Sequence, residues 1–171
     1  MKTKHLSKIL LPALLLALFA SSALSAQGFR KVARVVDGDT FVLEGGERVR
    51  LIGVDTPETV HPSKPVEYFG KEASAFTKSM IEGKRVRLVF DVRERDRYYR
   101  LLAYVYLEDG TFLNAELVKQ GYANVSTFPP NVRHAELFRS LEREARENSR
   151  GLWGKQGAGQ IQAQPRTGRG L

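Results

Sequence analysis

The sequence predicts an α+β domain of five strands and three helices, on three observations. Alternating, β-branched runs recur through residues 29–91 and again at 101–107. Apolar residues return at three- and four-residue spacing near 67–81 and 132–148, with a shorter helical stretch at 114–120. Gly, Pro, Asn or Asp punctuates nearly every junction between them. Strands with helices inserted between and after them read as α+β.

The first two strands are Val32 to Val36 and Thr40 to Leu43, joined through Asp37-Gly38-Asp39. An Asp-Gly pair between β-rich runs signals a hairpin. Glu44-Gly45-Gly46-Glu47 turns the chain into a third strand, Arg48 to Val54, which Asp55-Thr56-Pro57-Glu58 stops. After a loop holding Pro62 and Pro65, a helix spans about 67–81; Phe69, Ala73, Phe76 and Met80 make its stripe and Gly83 ends it. Strand four, Arg85 to Asp91, sets Val86, Leu88 and Phe90 on one face and mainly charged residues on the other. Strand five, Leu101 to Leu107, is apolar at nearly every position, so both of its faces are expected to be covered. A short helix over 114–120 stops at Gly121, and a last one runs over 132–148 with Leu137, Leu141 and Ala145 four apart. A small, strongly curved barrel of the OB type fits this order, although periodicity alone does not close it.

Both ends of the chain fall outside that domain. Lys2, Lys4 and Lys8 accompany the short apolar run Ile9 to Ala20, and Ser21, Ser22, Ala23, Ser25 and Ala26 follow. Basic, apolar, then small is the layout of a secretory signal peptide, and the run is shorter than the roughly 20 apolar residues that span a bilayer. Residues 1–26 are expected to be removed on export to the periplasm or the medium, with Ala26-Gln27 or Ala23-Leu24 as the cut. The lack of Cys excludes a lipid anchor on cysteine and any disulfide, so the domain at 27–154 relies on its core or a bound ion. Losing the three leader lysines leaves 24 basic against 19 acidic residues, net +5, which suits a polyanionic partner. Residues 155–171, rich in Gly, Gln, Pro and Arg, bury too little surface to order and read as a tail. A monomer without lasting membrane attachment is expected.

Three clusters carry candidate chemistry: Asp37-Gly38-Asp39-Thr40, the stretch Arg50 to Glu58, and Asp96-Arg97-Tyr98-Tyr99-Arg100. Each has a plainer reading as a turn, a strand end or a surface ion pair. In combination they say more. If strands one to three form a meander, Asp39 and Asp55 meet at strand ends, and with a main-chain carbonyl near Thr56 and waters they form an oxygen-rich site suited to calcium. With no Cys, and with His5, His61 and His134 scattered, a soft-metal site is not expected. Glu58, three residues beyond Asp55, is placed to hold a water. Arg50 and Arg100 offer two planar donor forks to one phosphate, as phosphoryl transfer requires.

Taken in order, the stretches VVDGDT at 35–40, RLIGVDTPET at 50–59, HP at 61–62, EASAFTKSM at 72–80, RLLAYVY at 100–106 and VKQGYA at 118–123 resemble the staphylococcal nuclease (thermonuclease) family. The turn Pro129-Pro130-Asn131 and Leu152-Trp153 continue the resemblance, which covers roughly 32–153. It implies a five-stranded OB-fold barrel with three helices, and calcium-dependent hydrolysis of DNA and RNA that leaves the phosphate on the 3′ side. By position, Asp39 and Asp55 match the carboxylate ligands of the ion and Thr56 its carbonyl ligand. Glu58 matches the residue that activates water, Arg50 and Arg100 the phosphate clamp, and Arg97 and Tyr98 the contacts to a second phosphate.

The departures concern the loops. Tyr99 stands where the family usually has Gly, which threatens to shift Arg100. Ser126-Thr127-Phe128 replaces a segment that often carries tyrosines near the base, and the Pro129-Pro130 peptide matches a position that is cis in some members. His61 and His134 read as surface or capping residues, Trp153 as a core plug, and the Arg- and Glu-rich face of the last helix as solvated. The rival reading is an OB barrel that grips single strands without cutting, which would lack part of the set Asp39, Asp55, Glu58, Arg50 and Arg100.

Overall fold

The computed structural model describes residues 28–59 and 67–154. The expected leader, the loop with His61, Pro62 and Pro65, and the C-terminal tail lie outside these residues. Strand β1 (Phe29–Asp37) pairs antiparallel with β2 (Thr40–Leu43), and β2 with β3 (Arg48–Leu51). Strand β5 (Arg85–Val89) pairs antiparallel with both β6 (Leu101–Leu107) and β1, while β3 runs parallel to β6. The order β1-β2-β3-β6-β5 therefore closes on itself as a five-stranded barrel, the OB-type α+β architecture. The alternation in the strands fills the closed barrel: Val32, Phe41, Val49, Val86, Ala103 and Val105 are fully buried, and their sequence neighbours mostly face outward.

The predicted third strand is in fact two. Gly53 adopts φ +79, and a Cβ there would lie 2.5 Å from the Phe138 ring. The chain turns at this point, and β4 (Gly53–Asp55) leaves the barrel to pair antiparallel with β7 (Asn124–Ser126), a strand the sequence pattern did not reveal. Only a residue without a side chain both takes this backbone and lets Phe138 lie against it. Asn114, fully buried, secures the break: it accepts from the Val105 N–H at 2.9 Å and donates to the Ile52 carbonyl at 2.9 Å.

Three helices pack on the barrel: α1 (Gly70–Ile81), α2 (Leu113–Lys119) and α3 (Ala135–Glu147). Helix α1 starts later than its apolar stripe suggests because Phe69 is left-handed, φ 66. Its buried line is Gly70, Ala73, Thr77 and Ile81, with Phe76 and Met80 only partly covered. Helix α3 is also shorter than its periodicity. His134 stands at its N-terminus, packed edge-on to Tyr104 at 4.5 Å instead of facing solvent. The closing plug is Leu152, in a 3₁₀ turn at Gly151–Trp153, and not Trp153, which is half-buried with Arg146 4.0 Å from its ring centroid.

Candidate active site

A cleft of about 290 Å3 opens where the β1–β2 turn, β3, β4 and the hairpin before β6 meet. Its walls are Val36, Asp37, Asp39, Thr40, Arg48, Arg50, Asp55, Thr56, Glu58, Glu67 and Arg100.

The β1–β2 turn supplies Asp37, Asp39 and Thr40, with Asp37 opposite Thr40 as the hairpin signal requires. Gly38 at its apex leaves room for Thr56, whose Oγ1 would lie 2.7 Å from a Cβ at that position. The turn is fixed from helix α1: the buried Thr77 hydroxyl donates to the Gly38 carbonyl at 2.6 Å. Strand β3 supplies Arg50, which points outward between the core residues Val49 and Leu51. Arg50 Nη1 lies 2.7 Å from Asp39 Oδ2, and Nη2 donates to Asp55 Oδ1 at 2.8 Å. Asp39 Oδ2 also accepts the Thr56 N–H at 3.0 Å. One guanidinium and one amide thus tie together carboxylates from two separate elements.

Asp96 positions Arg100. Its Oδ2 accepts from Arg100 Nε at 2.7 Å, and its Oδ1 accepts the N–H groups of Tyr98 and Arg100 at 2.9 and 3.0 Å. Tyr99 takes φ 62, the left-handed backbone that a glycine would supply, at a cost of roughly 1–2 kcal/mol. With the tyrosine in this conformation, Arg100 lines the cleft wall.

The electrostatics favour a cation. Burial and then the neighbouring Glu58 carboxyl push the Asp37 carboxyl above its ordinary range, against hydrogen bonds from Thr59 and the Gly38 N–H. With every group ionised, five carboxylates (Asp37, Asp39, Asp55, Glu58, Glu67) face three guanidiniums (Arg48, Arg50, Arg100), a surplus of two negative charges. Hard oxygen donors in that excess fit a divalent ion with a flexible shell. Among the described residues, no group of three or more His, Cys, Asp or Glu side chains is arranged to hold a metal ion. Such an ion would draw on Asp39 and Asp55 together with main-chain and water oxygens.

The family model described as staphylococcal nuclease homologue matches residues 48–155. The chain belongs to the staphylococcal nuclease family. It is similar to a thermonuclease of Staphylococcus intermedius, 46% identical over 71% of this chain and 74% of that one. A thermonuclease of Staphylococcus hyicus is 43% identical over 72% of this chain and 74% of its own. An endonuclease of Bacillus subtilis (strain 168) is 40% identical over 72% of this chain and 61% of its own.

In this member of the staphylococcal nuclease family, the cleft brings together six of the residues singled out from sequence: Asp39, Arg50, Asp55, Thr56, Glu58 and Arg100. Arg97 and Tyr98 stand beside it. The Arg97 guanidinium lies 4.8 Å from the Tyr98 ring centroid and that of Arg100 lies 5.6 Å from it, so the ring links the two arginines. Sequence reasoning assigned no role to Asp37, Arg48 and Glu67 in the walls, or to Asp96 and Thr77 behind them. Asp37 and Asp96 sat inside motifs already noted. Thr77 also lay inside a quoted stretch, EASAFTKSM at 72–80, but nothing marked it out from its neighbours until its partner carbonyl was located.

Proposed function

We propose that this protein is an exported, calcium-dependent nuclease that hydrolyses DNA and RNA and leaves the phosphate on the 3′ side of the break. Its class, a nuclease hydrolase, follows from its family. The observation that supports the finer reading best is the presence of three acids and two arginines, Asp39, Asp55, Glu58, Arg50 and Arg100, in the walls of one cleft.

Asp39, Asp55 and the Thr56 carbonyl would hold calcium, whose charge offsets that of a bound phosphodiester. Glu58 orients a water and takes its proton as the oxygen attacks phosphorus. With calcium on Asp39 and Asp55, the Arg50 fork that binds those two carboxylates would turn, together with Arg100, to the nonbridging oxygens, where charge grows as the bond to the 5′ oxygen breaks. Asp96 holds Arg100 through its Nε, which supports this role for the guanidinium. Arg97 and Tyr98 take a neighbouring phosphate. The layout of residues 1–26 supports export, and the mature charge of +5 supports a polyanionic substrate.

The test is a digest of single- and double-stranded DNA and RNA by wild type and Glu58→Gln, with calcium and with excess chelator. Wild type should cut only with calcium, and end analysis should find 3′-phosphates. Glu58→Gln should cut about 10²–10⁴-fold more slowly while still binding strands. Equal cutting in chelator would remove the metal from the proposal. Binding without cutting by wild type would favour the non-catalytic barrel.

A further inference from the structure

The outer face of the barrel carries a row of arginines that leads away from the cleft. Arg34 on β1 stands opposite Val42 on β2, and Val42 stands opposite Arg48 on β3. Strands β3 and β6 run parallel with Val49 beside Leu101, so one residue upstream Arg48 lies beside Arg100. The row thus crosses four adjacent strand positions: Arg34, Val42, Arg48, Arg100. Core residues alternate with these on either side, Val35 inward of Arg34 and Val49 inward of Arg48, so both guanidiniums project from the outer surface. Both residues are exposed, and Arg48 is also part of the cleft wall. Strands in a sheet are about 4.8 Å apart, which puts Arg34 about 10 Å from Arg48.

The rest of this sheet neutralises its charges. Lys31 pairs with Glu44 at 2.7 Å, and Glu47 takes both Arg30 and Arg95, the latter at 3.0 Å. Arg87 lies over the Tyr106 ring at 4.9 Å. Arg34 and Arg48 have neither a carboxylate nor a ring partner among the described residues. Val42 between them is buried, but packing over it needs no charge, and an acid at either place would relieve the repulsion along the row. Like charges held in line with the Arg100 clamp are arranged for a polyanion that already occupies the clamp.

We propose that Arg34 and Arg48 form a phosphate-binding track that takes the backbone of a nucleic-acid strand beyond the scissile bond. The inference rests on the nuclease reading for the identity of the strand. The track reads phosphates and not bases, so it adds affinity for longer strands without sequence preference. Each phosphate neutralised on a single strand contributes about 0.7 to the slope of log affinity against log salt.

The test is binding, measured in chelator so that no cutting intervenes. A fluorescein-labelled 12-nucleotide oligothymidylate and a dinucleotide of the same base are titrated by anisotropy from 0.05 to about 0.5 M salt, a range in which charge effects dominate. Arg34→Gln with Arg48→Gln should lower the 12-mer slope by about 1.4, equivalent to roughly 25-fold weaker binding at 0.1 M salt if the proteins match at 1 M. The dinucleotide should lose less. Arg139→Gln with Arg143→Gln, on helix α3 outside the cleft walls, removes the same charge and should leave the slope unchanged. Melting of the Arg34/Arg48 variant should match or exceed wild type, and Arg34→Gln alone, wholly outside the cleft wall, should give about half the slope change. An unchanged slope overturns the track, as does an equal change in the α3 control or an equal loss on the dinucleotide. Failure of the wild type to bind either strand in chelator would also overturn the track, whose phosphate contacts need no calcium, whereas the nuclease reading stands or falls on the digest with calcium.

Discussion

Replacing Thr77 by Val tests whether helix α1 governs the carboxylate turn from outside the cleft. The two side chains have nearly the same volume, so the change removes one hydroxyl and leaves the packing in place. The Thr77 hydroxyl donates to the Gly38 carbonyl at 2.6 Å, and both residues are buried. Water cannot replace the lost donor without opening the turn, so the carbonyl is left unpaired at a cost of about 1–3 kcal/mol. For a domain of about 120 residues the unfolding entropy is about 0.25 kcal/mol/K, so this loss corresponds to a fall of about 4–12 °C in Tm. The same loss loosens the segment carrying Asp37 and Asp39, so the calcium midpoint for cutting should rise, in parallel with any rise caused by Asp39→Ala. Differential scanning calorimetry gives the first number and a calcium titration of cutting the second. A Tm within 1 °C of wild type would refute the burial argument. A normal calcium midpoint with a lowered Tm would show that the hydrogen bond holds the fold but not the site.

Further outcomes follow from the same geometry. Arg100→Lys keeps a charge but loses the fork that Asp96 holds by Nε, so kcat should fall about 10²–10³-fold with little change in KM, whereas Arg50→Lys should disturb both because Arg50 also ties Asp39 to Asp55. A wild-type kcat for Arg100→Lys would remove it from the reaction. Tyr99→Gly relieves a left-handed tyrosine that is 81% exposed and should raise stability by about 1 kcal/mol in denaturant unfolding; destabilisation would mean that the exposed ring makes a contact worth more than the strain. His134 is held below its ordinary value of 6.5, first by burial and then by Arg133, with Asp91 opposing. Its neutral form is the one the fold favours, so its contribution is complete above about pH 6.5 and is lost as pH falls through the lower folded value. Tm should therefore drop on going from pH 7 to 5, and His134→Gln should flatten that part of the profile. An NMR titration placing His134 at or above 6.5 would contradict this.

The β1–β2 hairpin was legible from Asp37-Gly38-Asp39, because a two-faced alternation broken by Asp-Gly has few other solutions. The types of the main elements were legible for the same reason: period and turn chemistry are local. Six of the residues around the cleft, Asp39, Arg50, Asp55, Thr56, Glu58 and Arg100, were legible through the resemblance of their motifs to a family, which records an outcome of folding without giving its geometry. What the sequence by itself determined is therefore the strands and helices, the apolar faces that form the core, and the acids and arginines available for chemistry. Tertiary structure alone decided three other matters. It closed the barrel by a parallel β3–β6 pairing between residues far apart in sequence, which no local period encodes. It broke the third strand at Gly53, because the Phe138 ring from helix α3 occupies the space a side chain would need. It set Arg34, Arg48 and Arg100 in one row and brought Thr77 to the Gly38 carbonyl, since register and helix docking, unlike period, depend on contacts between distant segments.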